Sequence, residues 1–476
     1  MKSTLLTFFL SLTFLQGDET SRPNIVYIML DEWGYFEWSG AGHHIFDTPH
    51  IDRLAKEGML FSQMLAGGSV CAPTRSTLMT GQHTGHTTVR ANGGTEPLRD
   101  EDVTIAEMLK TSGYVTGGFG KWGLGDRGTS GAAERQGFDE FYGYYHQVHA
   151  HTYYPNYLVH NGEKVPLEGN TGHAFKGESF AQYHIHDQAK SFISKHAGKK
   201  PFFAYLPYTI PHGFYGIPED DPAYLKYKAE GKDWDAPQHH VGRKDIAPPD
   251  EAERYASFVE LADRQIGEVL SLLEEKGIAD NTIVFLCGDN GANEQPFHNE
   301  KHPEGFFKSN TNPTTGEHFR GGKGNFYEGG LRVAYMVRWP GKIAPGSTSD
   351  HLGYFPDVMP TLAELVDTTT PNECDGISFL PTLLGEGEQK THKYLNWEFR
   401  QQIAVREGTW KLFRKNLKSP VELYDLAKDL GELNNVASDH PDVVARLLAY
   451  SQESHSPDLT GKVLDKSLGF KGHKAK

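Results

Sequence analysis

The sequence predicts an α/β sandwich: a large sheet, mixed but mostly parallel, flanked by helices, with a smaller C-terminal antiparallel subdomain behind it. The first observation is a set of short, unbroken apolar runs, Asn24–Asp31, Pro201–Tyr208 and Thr282–Cys287, each leading into polar residues and glycine or proline. Runs of that length without alternation read as strands buried on both faces, as in a parallel sheet. The second is an apolar stripe of Tyr255, Phe258, Val259, Ala262, Ile266, Val269, Leu270 and Leu273, closed by Gly277. Its spacings of three and four describe one face of a helix. The third is a change of texture after about Pro381, where short aromatic or β-branched runs alternate with turns.

In chain order, residues 1–17 read as an export signal. Lys2 supplies the positive start, and the apolar stretch Leu5–Leu15, ending near Gly17, is too short to span a bilayer. Polar residues follow from Asp18 to Asn24. The mature chain is therefore expected to be exported, periplasmic or extracellular, with no stable membrane anchor. Residues 18–385 are expected to form the main domain. Strands alternating with helices there indicate the sandwich, and ligands in such sheets gather at the carboxyl ends of the strands. That rule draws Asp31, His212 and Asp289 toward one place. Two long polar stretches, Gly213–Glu253 and Ala292–Arg320, read as pocket walls. Residues 386–476 are expected to form an α+β subdomain. Within it Tyr394–Phe399, Gln402–Arg406, Trp410–Arg414 and Val421–Leu426 form an antiparallel meander, followed by a helix near Pro441–Ser454.

Apolar residues make up 37% and charged residues 23%, which places the chain among ordinary globular proteins. Its net charge of −15 repels nucleic acid, so no nucleic-acid partner is expected. An anionic ligand then requires a locally basic pocket. The three cysteines, Cys71, Cys287 and Cys374, are too few for a disulfide scaffold; at most Cys287 and Cys374 can pair if Cys71 stays apart.

The segment Cys71-Ala72-Pro73-Thr74-Arg75, followed by Ser-Thr-Leu-Met-Thr-Gly, resembles the Cys-x-Pro-x-Arg maturation motif of the type I sulfatases. These are formylglycine-dependent enzymes of the alkaline phosphatase-like superfamily. Further blocks match in family order: Asn24–Asp31, Thr48–Ala55, Gly120–Gly125, Pro207–His212, Gly288–Gly291, Gly322–Gly330 and Asp375–Ser378. The resemblance implies that the main domain is a catalytic sulfatase domain, that a formylglycine-generating enzyme oxidises Cys71, and that the hydrated formylglycine attacks sulfur. The substrate implied is a sulfated carbohydrate, of galactose or galactosamine type by similarity to glycan-acting members.

Cleaving a sulfate ester requires a nucleophile, cationic compensation for the sulfuryl oxygens, and an acid for the leaving alcohol. By resemblance Asp31, Glu32, Cys71, Asp289 and Asn290 hold a metal, and their hard oxygens suit Ca2+, with Mg2+ as the alternative. Arg75 steadies the formylglycine region, Lys121 and Lys323 contact the sulfate, Asp289 also assists deprotonation of the nucleophile, and His212 is the candidate acid.

Two departures stand out. Glu32 replaces the family's usual second aspartate, and its extra methylene lets it reach past an ion to a neighbouring group. Gly123 stands where many members carry a histidine that removes a proton from the formylglycine hydroxyl. The segment Tyr145–His151 is the place to look for a substitute, with His149 and His151 projecting together if it is extended. His151 is the candidate base. The His-x-His pair also fits zinc in part, and Tyr153, Tyr154 and Tyr157 are candidates for stacking on sugar rings. Two other readings stay open: a phosphate or phosphonate ester hydrolase of the same superfold, and a silent sulfated-glycan binder in which Cys71 is never oxidised.

Overall fold

A computed structural model describes residues 22–93, 96–237, 250–293, 297–371 and 373–457. The export segment 1–17 lies outside the described residues, as does part of the stretch Gly213–Glu253. The main domain carries β1 (Asn24–Leu30), β2 (Met59–Phe61), β3 (Met64–Leu65), β4 (Val115–Lys121), β5 (Glu140–Tyr144), β6 (Tyr157–His160), β7 (Glu163–Pro166), β8 (Phe202–Tyr208), β9 (Thr282–Gly288), β10 (Tyr335–Arg338), β11 (Ser347–Ser349) and β12 (Gly353–Tyr354). A ten-stranded sheet has the order β11-β2-β10-β9-β1-β8-β4-β5-β6-β7, while β3 pairs with β12.

The strand β1 lies at the centre, parallel to both β8 and β9, and β4 runs parallel to β8 and β5. Antiparallel pairing enters only toward the edges, where β10 joins β9 and β2, and β6 joins β5 and β7. The sheet is therefore mixed and mostly parallel, as its apolar runs predict. Every residue of β1, β8 and β9 is buried, because helices cover both faces. Val26, Ile28 and Leu30 pack into one core with α1 (Pro49–Glu57), and with two later helices, Ala181–His196 and Glu251–Glu275. Ile25, Tyr27 and Met29 point the other way, into a core with α2 (Cys71–Thr80) and α3 (Ile105–Thr111). The helix predicted around Tyr255–Leu273 spans 25 residues, beginning at Glu251.

Four antiparallel strands, Leu395–Phe399, Gln402–Glu407, Trp410–Arg414 and Glu422–Asp425, form the C-terminal sheet, on which the helix Pro441–Glu453 packs. The sheet rests on the segment that leads into α2: Trp397 shares a core with Leu65 and Val70, and its Nε1 donates to the Ala66 carbonyl at 2.9 Å. A buried charge cluster locks it in place. Lys411 Nζ lies 2.8 Å from Glu328 and 2.9 Å from Glu432, and all three side chains are wholly buried or nearly so. Cys71, Cys287 and Cys374 are all free thiols, so the one bridge that composition allows is not formed. No helix among the described residues is long and apolar enough to cross a membrane.

Removing one member of a buried ion cluster leaves the others uncompensated. Lys411→Met is expected to destabilise the fold by ~3–5 kcal/mol, read as a lower urea midpoint. Adding Glu432→Gln should recover part of the loss; an unchanged midpoint for the single variant would show that the cluster holds nothing together.

Candidate active site

The parallel topology brings four strand ends to one rim. Asp31 follows β1, Lys121 closes β4, His212 lies four residues beyond β8, and Asp289 and Asn290 follow β9. The first turn of α2 faces them with Cys71, and Arg75 sits one turn further along the same helix. Fully buried Arg75 is the hub. Its Nη2 donates to Asp289 Oδ2 at 2.9 Å and lies 3.5 Å from Asp31 Oδ2, while Nη1 donates to the Lys121 carbonyl at 2.8 Å. Lys121 Nζ donates to Asp31 Oδ2 at 2.6 Å, and the Cys71 thiol donates to Asp31 Oδ1 at 3.3 Å.

The electrostatics follow from burial and pairing. Burial opposes charge on Asp31, but Lys121, His212, Arg75 and Lys323 together hold it well below the ordinary carboxylate range. Burial and the charge of Asp31 push Asp289 up. Burial, reinforced by Asp31, also raises the Cys71 thiol well above its usual value despite its place at a helix N-terminus. An unmodified Cys71 is thus a protonated thiol and a poor nucleophile. Burial pushes Lys323 down to about 8 against the pull of Asp31, so it stays largely charged at neutral pH.

Glu32 is where this chain goes its own way. Its backbone adopts a left-handed φ of +65°, uncommon for a glutamate, and its N–H donates to Asp289 Oδ1 at 3.0 Å. Its carboxylate extends to His212, with Oε1 2.8 Å from Nε2, and pairs with Lys323. Lys323 Nζ is itself 3.3 Å from His212 Nε2. The longer side chain thus reaches the acid candidate. Ligand atoms of Asp31, Glu32, Cys71 and His212 still lie within 4.8 Å of one another, so together they form a candidate metal centre.

Asn290 turns its Nδ2 to the Gly291 carbonyl at 3.0 Å, leaving its buried Oδ1 without a hydrogen-bond partner. An orphaned acceptor next in the chain to the buried Asp289 fits a hard cation, although Asp289 and Asn290 lie outside the group formed by Asp31, Glu32, Cys71 and His212.

His151 joins this centre: its ring stacks on that of His212, with centroids 4.3 Å apart and planes 13° from parallel. His149 does not. The segment is a tight 3-10 turn, His149–His151, rather than extended chain, so the two rings diverge. His149 packs on Tyr144 and Tyr157, where burial pushes it down to about 4. The paired His-x-His ligand arrangement is therefore not formed. At Gly123 an added Cβ would sit 1.9 Å from Nε2 of Gln147, and φ there is +80°. The buried Gln147 amide occupies the room that a side chain at 123 would need. Among the tyrosines, Tyr153 is buried and structural, donating its hydroxyl to the His212 carbonyl at 2.7 Å and fixing the loop that carries the imidazole. The sequence offered Tyr153 for stacking on sugar rings, which its burial excludes, and it gave Gln147 no role.

Outside residues 294–296, which are not described, the stretch Ala292–Arg320 does form a wall. With Lys323 and Asn325 it borders a cavity of about 290 Å³ lined by Asn293, His298 and His318. The Asp375 block lies at the other end of α2, where the carboxylate accepts the His83 N–H and meets His86 Nδ1, each at 2.9 Å.

Residues 23–368 match the Sulfatase family, and residues 316–452 match the C-terminal region of N-sulphoglucosamine sulphohydrolase. The chain belongs to the sulfatase family and hydrolyses sulfate esters. Among its relatives, N-acetylgalactosamine-6-O-sulfatase of Bacteroides thetaiotaomicron is 28% identical, covering 90% of this chain and 93% of that one. N-acetylgalactosamine-6-sulfatase of Mus musculus is 29% identical over 86% and 75% of the two chains. The crystal structure of Ps i-CgsB in complex with a neocarrahexaose superposes with a TM-score of 0.73 at 23% identity, covering 92% of this chain and 94% of that one. The phosphonate monoester hydrolase of Agrobacterium radiobacter shares the fold at a TM-score of 0.64 and 22% identity, covering 91% and 94%.

Tyr153→Phe removes one hydroxyl behind His212 and leaves the ring in place. Stability is expected to fall by about 1 kcal/mol, and kcat on a small aryl sulfate by about tenfold as the imidazole loses its fixed position. An unchanged kcat would show that the hydroxyl does not position His212.

Proposed function

We propose that the protein removes O-sulfate groups from a carbohydrate, with formylglycine made from Cys71 and one divalent cation, calcium rather than magnesium. The observation that carries this reading is the placement of Cys71 at the start of α2, against Asp31 and beside Lys121 and Arg75, where an unmodified thiol is held protonated. Asp31, Asp289 and Asn290, with Glu32 at their edge, would hold the cation; flexible all-oxygen sets of this kind suit calcium. When present, the cation supplies Lewis-acid compensation of the sulfuryl oxygens, and formylglycine hydrate supplies one hydroxyl to attack sulfur and a second to expel sulfate.

The chain's own residues do the rest. Lys121 and Lys323 hold sulfuryl oxygens as charge develops on them. Arg75 keeps Asp31 and Asp289 at a fixed separation. Asp289, raised by burial, accepts the proton of the attacking hydroxyl. His212 delivers a proton from Nε2 to the leaving oxygen, which takes the place of Glu32 Oε1 beside that nitrogen. His151, stacked against His212, serves as the base in place of a histidine at 123.

The substrate class follows the names of the relatives, which point to a galactosamine-type or galactose-type sulfate. Residues 1–17 would direct export to the periplasm or outside the cell, and a formylglycine-generating enzyme would act during maturation.

Mass spectrometry across Cys71, on protein produced with a formylglycine-generating enzyme, should show the aldehyde or its hydrate, and such protein should release sulfate from sulfated sugars. A persistent thiol would instead favour the silent binder. Chelation should abolish turnover and lower Tm, with calcium restoring both, because the buried carboxylates lose their counter-charge; activity that survives chelation would remove the metal from the mechanism. His151→Ala should cut kcat by roughly 10²-fold or more with formylglycine and metal intact, and near-normal rates would exclude it as the base. Matched aryl sulfate and aryl phosphate rates should favour the sulfate; the opposite preference would make the protein a phosphoester hydrolase of the same fold.

A further inference from the structure

Between β5 and the 3-10 turn His149–His151 lies a side-chain amide to which the proposed reaction gives no task. Gln147 is 4% exposed, and neither its Nε2 nor its Oε1 has a hydrogen-bond partner. Among the described residues it is the one side-chain amide with both polar atoms buried and unpaired. Buried polar groups are hydrogen-bonded in the great majority of cases, and an exception calls for a catalytic role, an ion or an ordered water. An amide carries two donors on nitrogen and an acceptor on oxygen, so the full bonding capacity of this one is open.

Two anchors fix where the amide lies. On one side the Tyr144 and Tyr145 carbonyls accept the N–H groups of Trp122 at 2.9 Å and Gly123 at 3.0 Å. Those two residues directly follow Lys121, whose Nζ holds Asp31. On the other side the chain closes a turn, with the Ala150 N–H donating to the His146 carbonyl at 3.1 Å, and delivers His151 onto the His212 ring. Gln147 stands between these anchors in the chain. The strands β4 and β8 are neighbours in the sheet, so the segment runs across the rim from the Lys121 end toward the His212 end.

The lack of a side chain at Gly123 makes room for the amide. The left-handed φ of +80° there disfavours other residues, and an added Cβ would lie 1.9 Å from Gln147 Nε2 and 2.8 Å from its Cδ. The donor end of the amide therefore rests against the backbone just beyond Lys121. The loop around it is braced: the Val148 N–H donates to His146 Nδ1 at 3.1 Å, and the Tyr144 hydroxyl donates to the Thr152 carbonyl at 2.8 Å. A donor held by its own loop in this way is oriented before a ligand arrives.

The charge of the centre suits a neutral donor at this place. Three carboxylates, Asp31, Glu32 and Asp289, face three cations, Arg75, Lys121 and Lys323. One more carboxylate would repel a sulfate. An amide adds a hydrogen bond to an anion and leaves the balance unchanged.

We infer that Gln147 is a further substrate-binding residue, whose Nε2 donates a hydrogen bond to an oxygen of the sulfate group held at Lys121. The inference rests on the sulfate-ester reading of the Cys71 centre. The same contact is open to the free sulfate ion that the reaction leaves behind, so it can be measured without turnover.

Titration calorimetry with inorganic sulfate, on calcium-loaded protein verified for formylglycine, provides that measurement. Gln147→Met keeps the length of the side chain and removes its donors. It is expected to weaken sulfate binding by about tenfold or more, the loss of one hydrogen bond to a charged acceptor, while Tm and calcium affinity match the wild type. Its kcat/KM for a small aryl sulfate should fall by a similar factor. Gln147→Glu should weaken sulfate binding further at about pH 8, and that loss should shrink toward about pH 5 as the new carboxylate takes up protons. Wild-type sulfate affinity and kcat/KM in Gln147→Met would overturn the inference. Should the methionine variant fold poorly, unchanged sulfate affinity in Gln147→Glu, whose side chain matches the native one in size, would overturn it equally. Wild-type protein that neither binds sulfate nor releases it from a small aryl sulfate would overturn the reading of the centre itself.

Discussion

Two carboxylates, Asp31 and Asp289, lie fully buried at the ends of adjacent parallel strands, and the surrounding structure is organised around balancing their charge. Burying an unpaired carboxylate costs several kcal/mol or more even after relaxation, so the strands β1 and β9 can end there only if cations meet them. Arg75 comes from α2, Lys121 from β4, and each spans segments far apart in sequence. The same requirement fixes the orientation of α2, because Arg75 reaches both acids only when Cys71 is turned toward Asp31. The placement of Cys71 and the charge balance are therefore one constraint.

The C-terminal sheet serves that constraint at a distance. Trp397 holds the Leu65–Val70 approach to α2, and Gln402 donates to the Gly324 carbonyl at 2.8 Å, next to Lys323. The Lys411 cluster then keeps the sheet in register with Glu328, just beyond the Lys323 loop. What looks like an appendage in the chain order is a clamp on two of the segments that supply the centre.

The departures at Glu32 and Gly123 belong together. Glu32 reaches away from the Asp31–Asp289 pair to His212 and Lys323, which shifts one negative charge toward those two residues. At Gly123 the backbone is left-handed and its free space is filled by Gln147. The segment Tyr144–His151, whose Tyr144 and Tyr145 carbonyls accept the Trp122 and Gly123 N–H groups just beyond β4, brings His151 against His212. The space beside the strand end is thus taken by the neighbouring loop.

The sequence by itself determined the elements whose signal is local. Unbroken apolar runs marked β1, β8 and β9, spacings of three and four marked the helix Glu251–Glu275, and the change after Pro381 marked the C-terminal strands, because burial on two faces, one face or alternate faces writes a short-range period. It also marked Cys71–Arg75, where the residues needed lie within a single helical turn. Only the tertiary structure decided which groups meet. That Glu32 pairs with His212, that His151 enters while His149 turns away and that Tyr153 braces a backbone carbonyl all depend on contacts between separately placed loops. Such contacts leave no period in the chain. A side chain's partner is set by where two loops are pinned, and a three-residue turn, as in His149–His151, decides which ring faces the site.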